Sequence, residues 1–78
     1  MDKETLRAHL VLIGFSRSAN FDTWTYLGPT GLWCRVYLHG WKIRMTWVPA
    51  HPGDDSVDQS YWSPQRAYES ITAGLQDE

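Results

Sequence analysis

The chain has 78 residues, which is enough for one small domain with a modest core. Hydrophobic residues make up 42% of it and aromatic residues 14%, a composition too apolar for a disordered segment. The formal net charge of −2 excludes a general attraction to nucleic acid or anionic membranes, so either target would require a local basic patch. We therefore expect a single folded domain over residues 1–78.

The first predicted element is a helix over Lys3–Ile13. Asp2 can cap its N-terminus, and the apolar side chains within it recur at the i, i+3, i+4 spacing of one buried helix face. Gly14 follows, and glycine commonly ends a helix because it adopts left-handed backbone angles. Residues 16–20 are mainly polar, which predicts a loop.

A first hairpin is predicted after this loop. Residues 21–27 are rich in Thr and aromatic side chains, and Gly28-Pro29-Thr30-Gly31 is typical of a tight turn. Residues 32–38 alternate between apolar and polar and form the second strand. If Gly28 lies opposite Gly31, Trp24 faces Arg35 across the strand pair.

A second hairpin is predicted around His39-Gly40, which resembles a two-residue turn. This turn pairs Val36 with Ile43 on one face of the sheet and Arg35 with Arg44 on the other face. Like charges directly opposite each other are destabilising. We therefore expect an offset, either stacking of Arg35 on a neighbouring tryptophan or an anionic ligand that bridges both guanidinium groups.

The remaining chain predicts a loop and a second helix. Residues 49–56 contain Pro, Gly and Asp and favour a loop, whereas residues 57–62 allow a further edge strand. Ser63 can cap a helix that has Pro64 at its first position and extends over residues 64–73. The order predicts an α+β fold with two layers, in which two helices cover one face of a three-stranded antiparallel sheet, αβββα.

The uncovered face is the candidate binding site. Trp, Tyr and Arg dominate the energetics of protein interfaces. We therefore expect this face to bind the surface of a partner protein, which includes a second copy of this chain. Alternatives are a nucleic-acid-binding module that stacks bases, and a face covered by the 49–56 loop. The predicted site residues are Trp24, Tyr26, Trp33, Arg35, Tyr37, Lys42 and Arg44.

The sequence carries no catalytic motif. Paired carboxylates, a Ser–His arrangement and a Gly-rich phosphate loop are missing, so we expect neither an enzyme, nor a cofactor, nor a small-molecule substrate. The spacing of His51, Asp54, Asp55 and Asp58 does not match a calcium loop, so we expect no metal site. The lone Cys34 lies on the apolar face of the predicted sheet and excludes an intrachain disulfide.

The expected location is cytoplasmic. The start of the chain lacks the pattern of a secretory signal. Its longest apolar run, residues 10–13, is far shorter than the roughly 20 residues that a transmembrane helix needs.

The element order is similar to that of a double-stranded RNA-binding domain. Gly28-Pro29 corresponds to the Gly-Pro turn of its hairpin, and Ala67 and Ala73 to its Ala-rich last helix. The resemblance implies a phosphate-binding Lys cluster where this chain has Ser63-Pro64-Gln65-Arg66. In size and composition the chain also looks like the small inhibitors that phages and mobile elements direct against host nucleic-acid-handling or defence complexes, including anti-CRISPR proteins.

Overall fold

The computed structural model describes residues 1–18, 21–51 and 53–76, so the predicted loops over 16–20 and 49–56 lie partly outside it. The described residues form two α-helices and five β-strands. Their bounds are α1 Lys3–Ile13, β1 Ser16–Arg17, β2 Thr23–Leu27, β3 Trp33–Tyr37, β4 Ile43–Val48, β5 Val57–Tyr61 and α2 Pro64–Leu75.

The five strands form one antiparallel sheet in the order β1-β2-β3-β4-β5. Both helices contribute to a common core with the strand residues Val36 and Met45. We call this covered side the helix face, and the opposite side, which carries Arg35 and Thr46, the outer face. The α+β prediction is confirmed, but the three-stranded αβββα layout is too small because two edge strands complete the sheet.

Capping interactions set the helix ends, largely as predicted. The Asp2 carboxylate accepts a hydrogen bond from the Thr5 amide at 2.8 Å, and Gly14 ends α1 with a φ of 119°. Ser63 accepts from the Arg66 amide at 3.4 Å at the start of α2. That helix continues to Leu75, two residues further than predicted.

The register of the first hairpin differs from the prediction by one residue. The Gly31 amide donates to the Gly28 carbonyl, and the Gly28 amide donates to the Leu32 carbonyl. Gly31 has a φ of 97°, so it forms the left-handed residue that follows the turn and adds one residue to the loop. A shift of one residue exchanges the two faces of β2, and Trp24 pairs with Val36 instead of Arg35.

The second hairpin differs by two residues, which leaves the faces unchanged. Tyr37 pairs with Arg44, and the connection between the two strands includes the exposed segment 39–42. The Lys3 ammonium donates to the Leu38 carbonyl at 2.8 Å and also to the Gly40 carbonyl. The loop is therefore tied to the start of α1.

The sequence analysis missed one edge strand, β1, and allowed for the other, β5. The polar loop predicted over 16–20 is wrong for Ser16 and Arg17, which pair with Thr25 and Trp24. The further edge strand allowed over 57–62 is present as Val57–Tyr61, paired with β4.

The core lies between the helix face and the two helices. Its residues are Leu6, Leu10, Phe15, Trp24, Cys34, Val36, Leu38, Ile43, Met45, Ala67 and Ile71. Burial of Val36 and Ile43 confirms the predicted alternation of β3 and β4. Within the described part of the chain, neither helix has the length and apolar character needed to cross a membrane.

Candidate binding face

The outer face carries three rows of side chains that the strand register brings side by side. Four of the seven predicted site residues, Trp33, Arg35, Tyr37 and Arg44, lie in these rows. The rows are Thr23, Tyr37, Arg44 and Ser60, then Thr25, Arg35, Thr46 and Asp58, then Leu27, Trp33 and Val48.

Trp24 and Tyr26 were predicted for this face, and the structure places them on the helix face. Trp24 is only 4% exposed, and its indole nitrogen donates to the Asp22 carboxylate at 2.9 Å. Tyr26 packs on Phe15, with the ring centroids 5.3 Å apart. The extra loop residue at Gly31 exchanges the faces of β2, so Trp24 enters the core and Tyr26 packs against it.

The predicted opposition of Arg35 and Arg44 is also wrong. Arg35 lies opposite Thr46, and Arg44 lies opposite Tyr37. The two guanidinium groups therefore sit in neighbouring rows, and no direct cross-strand repulsion needs to be offset.

Each arginine of the outer face stacks on an aromatic ring of β3. The Arg35 guanidinium carbon lies 4.5 Å from the centroid of Trp33, and its Nη1 donates to the Tyr37 hydroxyl at 3.2 Å. The Arg44 guanidinium carbon lies 6.0 Å from the centroid of Tyr37. Cation–π contacts at exposed sites contribute about 0.5–1 kcal/mol each. These four side chains form a preformed ladder across the sheet.

Lys42 lies beside the ladder, in the loop between β3 and β4. Its ammonium nitrogen is 5.2 Å from the ring centroid of Trp62. Trp62 directly follows β5, so this contact joins the hairpin loop to the edge of the sheet.

Three exposed aromatic residues form what we call the aromatic rim, defined as Phe21, Trp41 and Trp62. They are 70%, 90% and 70% exposed. Phe21 precedes β2, Trp41 connects β3 to β4 and Trp62 follows β5, so antiparallel pairing brings all three to the same end of the sheet. That end holds the row of Tyr37 and Arg44.

The sequence prediction missed the aromatic rim. A two-residue turn of His39 and Gly40 would pair Trp41 with Leu38 on the apolar face of the sheet. In the longer loop Trp41 is free of the sheet. The available signal was the Gly-Trp-Lys sequence at 40–42, in which an aromatic residue directly follows a turn glycine.

Two shallow hollows adjoin each other on the outer face, on either side of Tyr37. Both are lined by Phe21, Thr23 and Tyr37. The first is completed by His39 and Arg44. The second is completed by Ser18, Thr25 and Arg35. Each hollow thus combines one guanidinium group with aromatic and hydroxyl-bearing walls.

The outer face is more basic than the rest of the chain. Arg35 and Arg44 lie in its rows, and Lys42 lies at one end. The rows contain one carboxylate, Asp58, which accepts a hydrogen bond from the Thr46 hydroxyl at 2.8 Å. By contrast, Arg7 on α1 forms ion pairs with Glu4 and Asp22. The positive charge of the outer face is available to a binding partner.

Cys34 is a buried thiol on the helix face. Burial raises the pKa of the Cys34 thiol to about 12, so the thiolate that acts as nucleophile is scarce. Among residues 1–18, 21–51 and 53–76, no three His, Cys, Asp or Glu side chains are grouped to hold a metal ion.

Comparison of the chain with protein-family models, with curated proteins and with solved structures gives no match.

Proposed function

We propose that this protein is a non-catalytic binding protein that occupies the surface of a partner protein through its outer face and aromatic rim. The supporting observation is the one-sided layering of the fold. Both helices pack on the helix face, while the opposite face presents the ladder of Trp33, Arg35, Tyr37 and Arg44.

The aromatic rim gives this proposal its strongest energetic argument. Exposure of Trp41 and Trp62 to water is unfavourable, and large apolar side chains exposed in one region of a small domain are typical of an interaction site. Trp, Tyr and Arg are the residue types enriched among interface hot spots. Here all three types lie within one end of the sheet.

Nucleic acid is the less favoured ligand for this face. Proteins that bind single strands combine exposed aromatic rings with a positively charged groove that follows the phosphates. The aromatic rim offers such rings, but the described part of the outer face contributes three cations, Arg35, Arg44 and Lys42. Arg35 stacks on Trp33, and the same row of the sheet as Arg35 contains the carboxylate Asp58. The start of α2, where the double-stranded RNA-binding resemblance implies a Lys cluster, offers only Arg66.

The proposed biological role is that of a small inhibitor, of the kind phages direct against host nucleic-acid-handling or defence complexes. This part of the proposal depends on size and composition. Occupying a partner's surface requires no catalytic group in the inhibitor.

Capture from a cell lysate tests the proposal. Wild-type protein, Trp41→Ala and Leu12→Ala are immobilised, and the retained proteins are quantified by mass spectrometry. Leu12 is the matched control because it is 82% exposed but belongs to α1. We expect a protein retained by wild type and Leu12→Ala to be lost with Trp41→Ala. Equal retention by all three would refute the proposal.

Two further measurements separate the alternatives. Sedimentation of the purified protein over a range of concentrations detects self-association, and its loss in Trp41→Ala would identify a homodimer instead of a different partner. Titration with a labelled oligonucleotide at two salt concentrations tests nucleic acid, whose binding weakens steeply with salt.

A further inference from the structure

Within residues 1–18, 21–51 and 53–76, no carboxylate forms an ion pair with the cations of the outer face. Among the described residues, the ion pairs involve Arg7 alone, with Glu4 and Asp22. Arg35 and Arg44 instead contact aromatic rings. A stacked guanidinium group keeps its N–H donors at the ring edge available for an acceptor.

Arg35 has one donor that is poorly satisfied. Its Nε is buried and has no hydrogen-bond partner among the described residues, while its Nη1 donates to Tyr37. A buried donor without an acceptor costs free energy, so the Arg35 side chain is incompletely satisfied by its own chain.

Tyr37 lies between the two arginines and is shared by the adjoining hollows. Arg35 lines one hollow and Arg44 lines the other. Phe21 and Thr23 line both, so a ligand in this position meets guanidinium donors together with an apolar ring and a hydroxyl group. Such a site suits a carboxylate that is carried next to an apolar or aromatic group.

We infer that the partner presents an acidic peptide segment, whose carboxylates bind Arg35 and Arg44 on either side of Tyr37 and whose aromatic side chain packs on Phe21. This inference rests on the proposed function and specifies the chemistry of the partner. Charge complementarity supports it, because carboxylates of the partner would meet the basic outer face. A polynucleotide would bring many phosphates to a surface with few cations.

Peptide titration followed by NMR tests the inference. The probes are a synthetic peptide of alternating Asp and Phe, the same peptide with every Asp replaced by Asn, and a single-stranded oligothymidine. We expect the acidic peptide to shift the arginine Nε–H resonances of Arg35 and Arg44. The Asn peptide should bind much more weakly, and its binding should not shift these resonances.

Substitution of the exposed Arg44 provides the quantitative test. Arg44→Gln should weaken binding of the acidic peptide by about five-fold, which corresponds to one exposed ion pair near the upper end of its usual range. Arg66→Gln is the control, since Arg66 is also exposed but lies in the first turn of α2. It should leave the affinity unchanged.

Several results would overturn the inference. These are equal binding of the acidic and Asn peptides, equal losses in Arg44→Gln and Arg66→Gln, tighter binding of the oligothymidine, or no response to the acidic peptide. If lysate capture still depends on Trp41 in such a case, the binding face remains and only its acidic partner is rejected. If capture is also independent of Trp41, the proposed function fails with it.

Discussion

The indole ring of Trp47 lies directly against Gly74 in α2. A Cβ atom added at Gly74 would stand 2.6 Å from Cη2 and 2.8 Å from Cζ2 of Trp47, closer than a van der Waals contact permits. The missing side chain therefore allows β4 and α2 to approach, and it explains why a residue with poor helix propensity occupies the last turn of the helix.

Gly74→Ala should destabilise the protein despite the better helix propensity of alanine. The expected loss in the free energy of unfolding is about 1–3 kcal/mol from overpacking, reduced by the propensity gain of about 1 kcal/mol. Urea denaturation followed by circular dichroism measures the net effect.

The same substitution in a Trp47→Leu background provides the control. Without the large ring, Gly74→Ala should become neutral or stabilising, since only the propensity term remains. An equal effect of Gly74→Ala in both backgrounds would show that the two residues are not coupled.

Asp22 should make stability depend on pH in the acid range. Hydrogen bonds from Arg7 lower the pKa of the Asp22 carboxyl, helped by the indole of Trp24 and opposed by burial. The ionised form thus stabilises the fold fully above the ordinary pKa of about 4, and this contribution is lost as pH falls through the lowered folded-state value. Asp22→Asn should cost about 1–3 kcal/mol at pH 7.

Urea unfolding of wild type and Asp22→Asn at pH 7, 4 and 3 measures this dependence. The stability difference between the two proteins should shrink as the pH decreases. Asp58→Asn is the control, because Asp58 is exposed and accepts from Thr46 on the outer face. It should change stability by less than about 0.5 kcal/mol at pH 7. A difference between wild type and Asp22→Asn that does not vary with pH would contradict the assignment.

Two tryptophans of different burial should respond differently to truncation. Trp24 is buried and bonded to Asp22, so Trp24→Ala should cost about 3–5 kcal/mol. Trp41 is almost fully exposed, so Trp41→Ala should change the stability by less than about 0.5 kcal/mol. Thermal unfolding of both variants measures these two changes in stability. A large loss in Trp41→Ala would mean that Trp41 serves the fold instead of a partner.

Cys34 should react with a thiol reagent only when the protein unfolds. Burial raises the pKa of the thiol to about 12, so at pH 8 it is almost entirely protonated, and the side chain has no exposed surface. Reaction with a chromogenic disulfide should therefore be slow in native buffer and rapid in urea. Similar rates in both conditions would place Cys34 at the surface.

The helices and the faces of two strands could be predicted from the sequence. Asp2 and Ser63 are side chains that satisfy free helix amides, and their effect is local. Val36 and Ile43 alternate with polar or charged neighbours, so each strand must turn these two side chains toward the core. This assignment does not depend on the length of the turn between the strands.

The registers could not be predicted, because each depends on the length of a connection that local sequence does not determine. The Gly28–Gly31 sequence is compatible with a loop of two or four residues, and both lengths give the same register. In the structure Gly31 has a left-handed backbone angle and the loop is one residue longer than two, so Trp24 lies on the helix face and is buried. At the second turn, Lys3 binds two loop carbonyls from a distant helix, an interaction that local patterns do not contain. β1 has only two residues and hence no alternation to read.

The sequential strand order has a consequence for folding kinetics. Every strand pairs with its neighbour in the chain, so the sheet forms by closing short loops, a topology associated with fast folding. The helix layer depends on long-range contacts, because α1 and α2 lie at opposite ends of the chain. The rings of His9 in α1 and Tyr68 in α2 lie 4.9 Å apart. We expect the hairpins to assemble early and the docking of the two helices to complete the native state.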